Sequence, residues 1–299
     1  MFEKPMSINS SDNVHWRSLL FVPANNARYA EKARTSRADA IILDLEDAVL
    51  PEHKTGARST VQGLAASLRT GARDVLVRIN RPLPLAVRDI EAAVCEHVKA
   101  IVVAKAASAE HLRFLSEVIE ERELSLGLSS GHTKLLPLIE TADAVARLGE
   151  IASSPRVVAI VCGDEDLSAE LGCDPASETI TAVKHRLVLA AACRGIRPLG
   201  LMGSIAEFRD IEKYGTFVAR SNAAGLEGTL CIHPNQVDVA NSGFGPSEMQ
   251  LEYARRVVAA AEAARKRGAG AVGLDGKMID APVLRRAENM LKAERLHAR

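Results

Sequence analysis

The chain has 299 residues, with 38 Lys and Arg against 38 Asp and Glu, so its formal net charge is zero. That balance and an aromatic content of 3% argue against nucleic acid as the main partner, since such surfaces usually need a basic excess and stacking platforms. No apolar run reaches the roughly 18 residues that cross a bilayer, residues 1–16 lack the pattern of a targeting segment, and the five cysteines (Cys95, Cys162, Cys173, Cys193, Cys231) have no C-x-x-C spacing, which reads as a reduced, cytoplasmic protein that binds no membrane.

Eight short aliphatic runs follow in chain order: Ser18–Pro23, Ala40–Leu45, Asp74–Asn80, Ala100–Lys105, Lys134–Glu140, Val157–Gly163, Arg197–Leu201 and Gly228–Pro234. Each has the length and near-continuous apolarity of a strand buried on both faces of a parallel sheet. Between them lie helical stretches such as Ala27–Arg37, His53–Arg69, Ala109–Arg122 and Thr179–Arg194. Eight alternating units match an α/β fold of the (β/α)8 TIM-barrel type, with an open doubly wound sheet as the alternative. Residues 1–235 carry the barrel strands and helices. Residues 236–267 form the last barrel helix region, with Ser247–Arg267 as its long Ala/Arg/Glu-rich helix. A Gly-rich break then opens a C-terminal extension, 268–299, ending in a helix over Pro282–Ala298 with Pro282 in its first turn. It fits a lid, an arm exchanged between subunits, or a packed cap.

Polar residues gather where the apolar runs end. Asp44-Leu45-Glu46-Asp47 closes the second run, Arg78-Ile79-Asn80 the third, Lys105 the fourth and Glu140 the fifth; Gly163-Asp164-Glu165-Asp166 follows the sixth and His233-Pro234-Asn235 the eighth. In a barrel these ends form one face, where active sites lie. Glu140 and Asp166, from neighbouring strands, offer two oxygen ligands for Mg2+ or Mn2+; equally, each fits a helix cap. Arg78 can grip a substrate carboxylate or pair with Asp44 or Glu46 of the adjacent strand. If the second strand persists, Asp44 and Glu46 point one way, and Leu45 and Asp47 the other. Lys105 fits a base, a Schiff-base former or, preferably, an ion-pair partner. His233 fits a general base or, preferably, a hydrogen-bonded structural residue. No G-x-G-x-x-G follows the first strand, so a dinucleotide site finds no support.

Seven stretches in order resemble the citrate lyase β-subunit and its relatives, the CitE-like branch of the HpcH/HpaI aldolase family, which includes malyl-CoA and citramalyl-CoA lyases. They are Arg17–Pro23, Ala38–Val49, Val77–Asn80, Leu138–Thr141, Gly163–Leu167, Cys231–Pro234 and Asp275–Asp280. The resemblance implies a Mg2+-dependent barrel, a homotrimer, and Glu140 and Asp166 as metal ligands. It implies that Arg78 holds the oxo-acid carboxylate, with Glu140 beside the substrate, and that Phe21 and Lys32 meet coenzyme A. It also implies that Asp280 reaches the substrate from a neighbouring subunit, which makes the extension an exchanged arm. Arg78, Asp280, Glu46 and Asp47 are the candidate catalytic residues. The chain departs from the pattern at Asn26, where relatives often carry Arg, at Ala106-Ala107, which lack the acidic partner after Lys105, and at the neutral Leu201–Ser204.

The implied reaction is carbon–carbon cleavage of a 3-hydroxyacyl-CoA of the citramalyl-, malyl- or citryl-CoA type to an oxo acid and an acyl-CoA. Two alternatives stand beside it. One is a citrate lyase β-subunit acting on acyl carrier protein thioesters within a complex. The other is an aldolase acting on free 2-oxo acids.

Overall fold

The computed structural model describes residues 14–71 and 73–297. Most of the N-terminal stretch read for targeting signals, and the last two residues of the C-terminal extension, lie outside these. The chain divides between Phe244 and Gly245 into two compact units.

The first unit runs β1 (Ser18–Pro23), α1 (Ala27–Arg34), β2 (Ala40–Asp44), α2 (Lys54–Leu68), β3 (Asp74–Ile79), α3 (Leu83–Ala93), β4 (Ala100–Val103) and α4 (Ala109–Ser125). It continues with β5 (Lys134–Ile139), α5 (Ala142–Ala146), α6 (Leu148–Ala152), β6 (Ala159–Cys162), α7 (Asp164–Leu171) and α8 (Glu178–Arg194). It ends with β7 (Arg197–Leu199), α9 (Ile211–Ala223), β8 (Thr229–Cys231) and α10 (Pro234–Gly243). All eight strands are parallel, ordered β7-β6-β5-β4-β3-β2-β1-β8. The edges β7 and β8 meet through backbone hydrogen bonds from Gly200 N–H to Gly228 O (2.8 Å) and from Glu227 N–H to Pro198 O (2.9 Å). The sheet thus curls into a (β/α)8 barrel, and the open-sheet alternative falls away.

Strand side chains alternate between two cores, as a period of two requires. One set, including Leu19, Ile42, Leu76, Val102, Leu136, Val161 and Leu230, fills the barrel interior. The other, including Leu20, Ile41, Val75 and Ile101, packs against the helices. Trp16 joins the interior set, and its indole N–H donates to Asp74 Oδ2 at 2.9 Å, at the start of β3. The sequence offers no pattern that marks this role.

The second unit holds α11 (Glu248–Lys266), the antiparallel pair β9 (Val272–Leu274) and β10 (Lys277–Ile279), and α12 (Ala281–His297). Asp275 and Gly276 both take positive φ (50° and 73°) in the two-residue hairpin turn. Ala254, Val257, Ile279 and Ala287 form its own small core. This redraws the expected last barrel helix region, 236–267. The helix after β8 is α10, which starts at Pro234 behind a His233–Gln236 capping box. The long helix read from Ser247 groups with the extension, because its apolar stripe buries against β10 and α12.

Gly228 stands at the barrel seam, where a Cβ would collide with the carbonyl of Trp16. Gly228→Ala is expected to destabilise the fold by at least about 2 kcal/mol through overpacking against backbone, measured by urea unfolding.

Candidate active site

The carboxyl ends of the strands open into a cavity of about 810 Å³. Its walls include Phe21, Lys32, Asp44, Asp47, Arg78, Glu140, Asp166 and His233.

Arg78 follows Val77 at the end of β3, opposite Asp44 in the β2–β3 register. Its Nε and Nη2 donate to the two oxygens of Asp44, each at 2.7 Å, a bidentate clasp. Nη1 lies 2.9 Å from Glu46 Oε2 and 3.3 Å from Asp47 Oδ2. The guanidinium sits 4.7 Å above the centre of the Phe21 ring, within cation–π range. Burial works against its charge, but Asp44, Glu46 and Asp47 outweigh burial and raise the Arg78 pKa.

The expected alternation of Asp44-Leu45-Glu46-Asp47 does not hold, because β2 ends at Asp44. The Asp44 carboxylate accepts the backbone N–H of Glu46 (2.9 Å) and of Ala48 (3.0 Å), which bends the chain into a turn. The turn brings Glu46 and Asp47 to the same guanidinium, whereas a continuing strand would send them to opposite faces. Glu46 is buried. Its pKa is pushed up to about 8, first by burial, against the pull of Arg78 and with help from Asp47 and Glu140.

Glu140 leaves β5 and is 5% exposed. One oxygen, Oε2, accepts the backbone N–H of Lys105 at 2.7 Å. Lys105 takes a left-handed backbone (φ 47°), unusual for a residue with a side chain. Gly163, whose N–H continues the ladder to Ile139 O at 3.0 Å, lies so close that a Cβ there would collide with Glu140 Cγ and its carboxyl group. Only glycine leaves room for this carboxylate. Burial lifts the Glu140 pKa to about 7, offset by the Lys105 amide and reinforced by Asp166.

Asp166 comes from a helix, whereas the sequence reading placed it at a strand end. β6 stops at Cys162, Gly163 takes the N-cap position, and Asp166 sits in the first turn of α7. Its Oδ1 is 3.3 Å from Lys105 Nζ, so the favoured ion-pair reading of Lys105 holds, with Asp166 as partner. Below this, Asp164 Oδ2 pairs with the buried Lys184 Nζ at 2.8 Å. Lys184, from α8, carries no signal in the sequence.

Other expected residues divide. His233 caps α10, its Nδ1 accepting the Asn235 N–H at 3.2 Å, and its ring stacks on Phe208 with centroids 5.2 Å apart, which fits its structural reading. Asn26 caps α1 by accepting the Tyr29 N–H at 3.2 Å, and α1 carries the exposed Lys32 to the cavity wall. Asp280 belongs to the second unit, where its Oδ1 accepts the Val283 N–H at 3.2 Å at the start of α12.

No group of three His, Cys, Asp or Glu suited to a metal is found among the described residues. The pair Glu140 and Asp166 nonetheless fits Mg2+, which keeps several waters and takes one or two protein carboxylates. Charge supports the fit: among the described residues, Asp44, Glu46 and Asp47 pair with Arg78, Asp166 pairs with Lys105, and Glu140 feels both cations, so five carboxylates share two close cations. While Oε2 of Glu140 is held by the Lys105 amide, its Oε1 receives no hydrogen bond from the described residues.

The family model described as HpcH/HpaI aldolase/citrate lyase matches residues 17–234. A citrate lyase subunit beta-like protein of Deinococcus radiodurans is 32% identical over 284 residues, 93% of this chain and 97% of its own length. A (3S)-malyl-CoA thioesterase of Cereibacter sphaeroides is 31% identical over 287 residues, 95% of this chain and 96% of its own length. Among solved structures, the CitE protein of Mycobacterium tuberculosis in complex with magnesium, acetoacetate and coenzyme A aligns with a TM-score of 0.73 at 30% identity, covering 93% of this chain and 98% of that one. The family match begins just before β1 and ends after β8, and the likeness to individual relatives runs nearly end to end, so this chain belongs to the HpcH/HpaI aldolase/citrate lyase family.

Proposed function

We propose that the protein is a Mg2+-dependent carbon–carbon lyase that cleaves a 3-hydroxyacyl-CoA bearing a distal carboxylate, of the citramalyl-, malyl- or citryl-CoA type, to an oxo acid and an acyl-CoA. The observation that carries this reading is the seat of Glu140. It is a buried carboxylate with one oxygen locked by the Lys105 amide, a glycine cleared for it at 163, and Asp166 and Arg78 as electrostatic neighbours. The relative bound to magnesium, acetoacetate and coenzyme A supports it.

Glu140 and Asp166 are the residues that hold the metal in this reading. Bound magnesium supplies Lewis-acid stabilisation of negative charge developing on the substrate's oxygens. Arg78 orients the distal carboxylate; its Nε and Nη2 stay with Asp44, and Nη1 is the group that exchanges partners. Phe21 supports the guanidinium from beneath. Glu46, with Asp47 beside it, accepts the 3-hydroxyl proton; a carboxylate raised towards neutrality is a stronger base than an ordinary one. As that proton leaves, the C2–C3 bond breaks. Its electron pair passes into the thioester enolate, and the 3-carbon is left as the oxo acid. Asp280, from a neighbouring subunit of a homotrimer, returns a proton to C2. Lys32 meets the anionic part of coenzyme A at the cavity rim.

A second reading is hydrolysis of the same thioester, favoured by the malyl-CoA thioesterase relative. The two separate in one assay of purified protein with citramalyl-, malyl- and citryl-CoA and Mg2+. Cleavage yields an oxo acid and keeps the thioester, whereas hydrolysis releases free thiol. Activity on free hydroxy acids alone, or only on acyl carrier protein thioesters in a complex, overturns the proposal.

Asp166→Ala is expected to lower lyase turnover by about 10²- to 10³-fold, the scale of losing a key electrostatic stabiliser, and chelation should do the same to the wild type. Gly163→Ala should weaken Mg2+ binding in calorimetry while the circular dichroism spectrum stays native, because the new methyl group displaces Glu140.

Metal-free protein should also lose stability as pH rises. Glu46 titrates near 4.5 unfolded and about 8 folded. Between those values the native state holds a proton that the unfolded chain releases. The stabilisation is complete below the unfolded pKa and is lost as pH rises through 8. Thermal midpoints from pH 5 to 9 should fall for the wild type and fall less for Glu46→Gln.

A further inference from the structure

Behind the turn that carries Glu46 and Asp47 lies a second set of polar residues, absent from the cavity walls. Lys54, in the first turn of α2, sends its ammonium to three acceptors. These are Leu45 O at 2.9 Å, Glu46 O at 2.9 Å and Asn80 Oδ1 at 2.6 Å. An ammonium has three N–H donors, so all are used. Asn80, just past β3, donates through Nδ2 to Leu45 O at 2.9 Å and to Asp89 Oδ2 at 2.6 Å, and its backbone N–H donates to the same Asp89 oxygen at 2.8 Å. Asp89, on α3, is fully buried, and its Oδ1 accepts from Arg58 Nε at 2.6 Å. The network links α2, α3, the end of β3 and the turn after β2.

Two successive carbonyls, of Leu45 and Glu46, converge on one cation. Neither a strand nor a helix turns consecutive carbonyls to a common point; in a strand they alternate, and in a helix they run parallel. The cation therefore fixes the two peptide planes on either side of Glu46 from behind. On the cavity side, the Asp44 carboxylate fixes the same turn by accepting the N–H groups of Glu46 and Ala48. The Glu46 carboxyl meets Arg78 Nη1 at 2.9 Å through Oε2 and hydrogen-bonds with the Asp47 side chain. Its direction is thus set jointly, by these side-chain contacts and by the backbone that the two clamps hold.

We propose that Lys54 is a positioning residue for the reaction: held by Asn80, which Asp89 and Arg58 hold in turn, it clamps the carbonyls of Leu45 and Glu46 and so aims the Glu46 carboxylate at Arg78 and the bound substrate. This rests on the reading of Glu46 as the group that accepts the substrate's proton. Lys54 touches no substrate; it acts through the turn. A displacement of about 1 Å at a reacting group can cost about 100-fold in rate, so loss of the clamp is felt in turnover before it is felt in binding.

The test is a double-variant comparison in the full-length protein: Lys54→Met, Glu46→Gln, both together, and Lys54→Arg. In the thioester cleavage assay Lys54→Met is expected to lose about 10- to 100-fold in kcat, with KM within about threefold of wild type. Lys54→Arg, which keeps charge and donors, should recover part of the loss. The double variant should be no slower than Glu46→Gln alone, because Lys54 acts through Glu46. A folded Lys54→Met with wild-type kcat, or a double variant whose loss is the product of the two single losses, overturns the proposal. If Lys54→Met does not fold, Lys54→Gln, which keeps two N–H donors, replaces it: reduced kcat with little change in KM supports the clamp, and wild-type kcat overturns it. If the wild type cleaves no thioester, the lyase reading fails by itself. The clamp is then judged on urea unfolding of the same proteins: a double variant destabilised by less than the sum of the singles supports it, and strict additivity overturns it.

Discussion

One guanidinium organises the mouth of the barrel. Arg78 is the cation to which Asp44, Glu46 and Asp47 all turn, and it is largely withdrawn from water between the Phe21 ring and those carboxylates. Burying such charges costs desolvation energy that their attraction only partly returns, so the cluster adds little to stability; what it supplies is direction. The bidentate bond to Asp44 leaves the arginine one orientation. Carboxylates still outnumber cations there, which is why burial can push Glu46 and Glu140 so far above the ordinary range. A site with surplus negative charge and a fixed guanidinium suits a divalent ion together with an anionic substrate.

The barrel makes this arrangement possible through a simple periodicity. Along β2 the inward row reads Ala40, Ile42, Asp44; along β3 it reads Leu76, Arg78; along β5 it reads Leu136, Leu138, Glu140. Each row is apolar until its last position, where the interior opens to the cavity. The β6 row ends in Gly163, whose missing side chain is the space that Glu140 occupies. Parallel strands place all these terminal positions at one end, and hydrogen-bond register sets Asp44 beside Arg78. Helix ends complete the set: the first turn of α7 brings Asp166 to Lys105.

Much of this is legible in the residues. The eight aliphatic runs coincide with the eight strands to within a few positions, because strands buried on both faces leave an uninterrupted apolar signature. Their polar ends mark Asp44, Arg78 and Glu140. Weaker signals mislead or stay silent. Asp44-Leu45-Glu46-Asp47 looks like a continuing strand, since the Asp44 side chain that bends the backbone is indistinguishable in sequence from one that faces a ligand. The helix over Ser247–Arg267 has the length of a barrel helix, but amphipathic periodicity says that a stripe is buried and not against what. Lys54, Asn80 and Asp89 give no sign of acting together, because nothing local relates a lysine in one helix to an asparagine 26 residues on.

The sequence by itself determined the strand count, the fold class, and the end of the barrel at which ionisable side chains gather, since hydrophobic periodicity and the position of charges along each run are local properties. The tertiary structure alone decided which of those charges meet. Arg78 takes three carboxylates, Lys105 takes Asp166 through its ammonium and Glu140 through its amide, and Lys54 holds the turn from behind. Those pairings depend on register, on where a strand stops, and on the room left by a single glycine. Each is fixed by packing between segments far apart in the chain, and no local pattern encodes it.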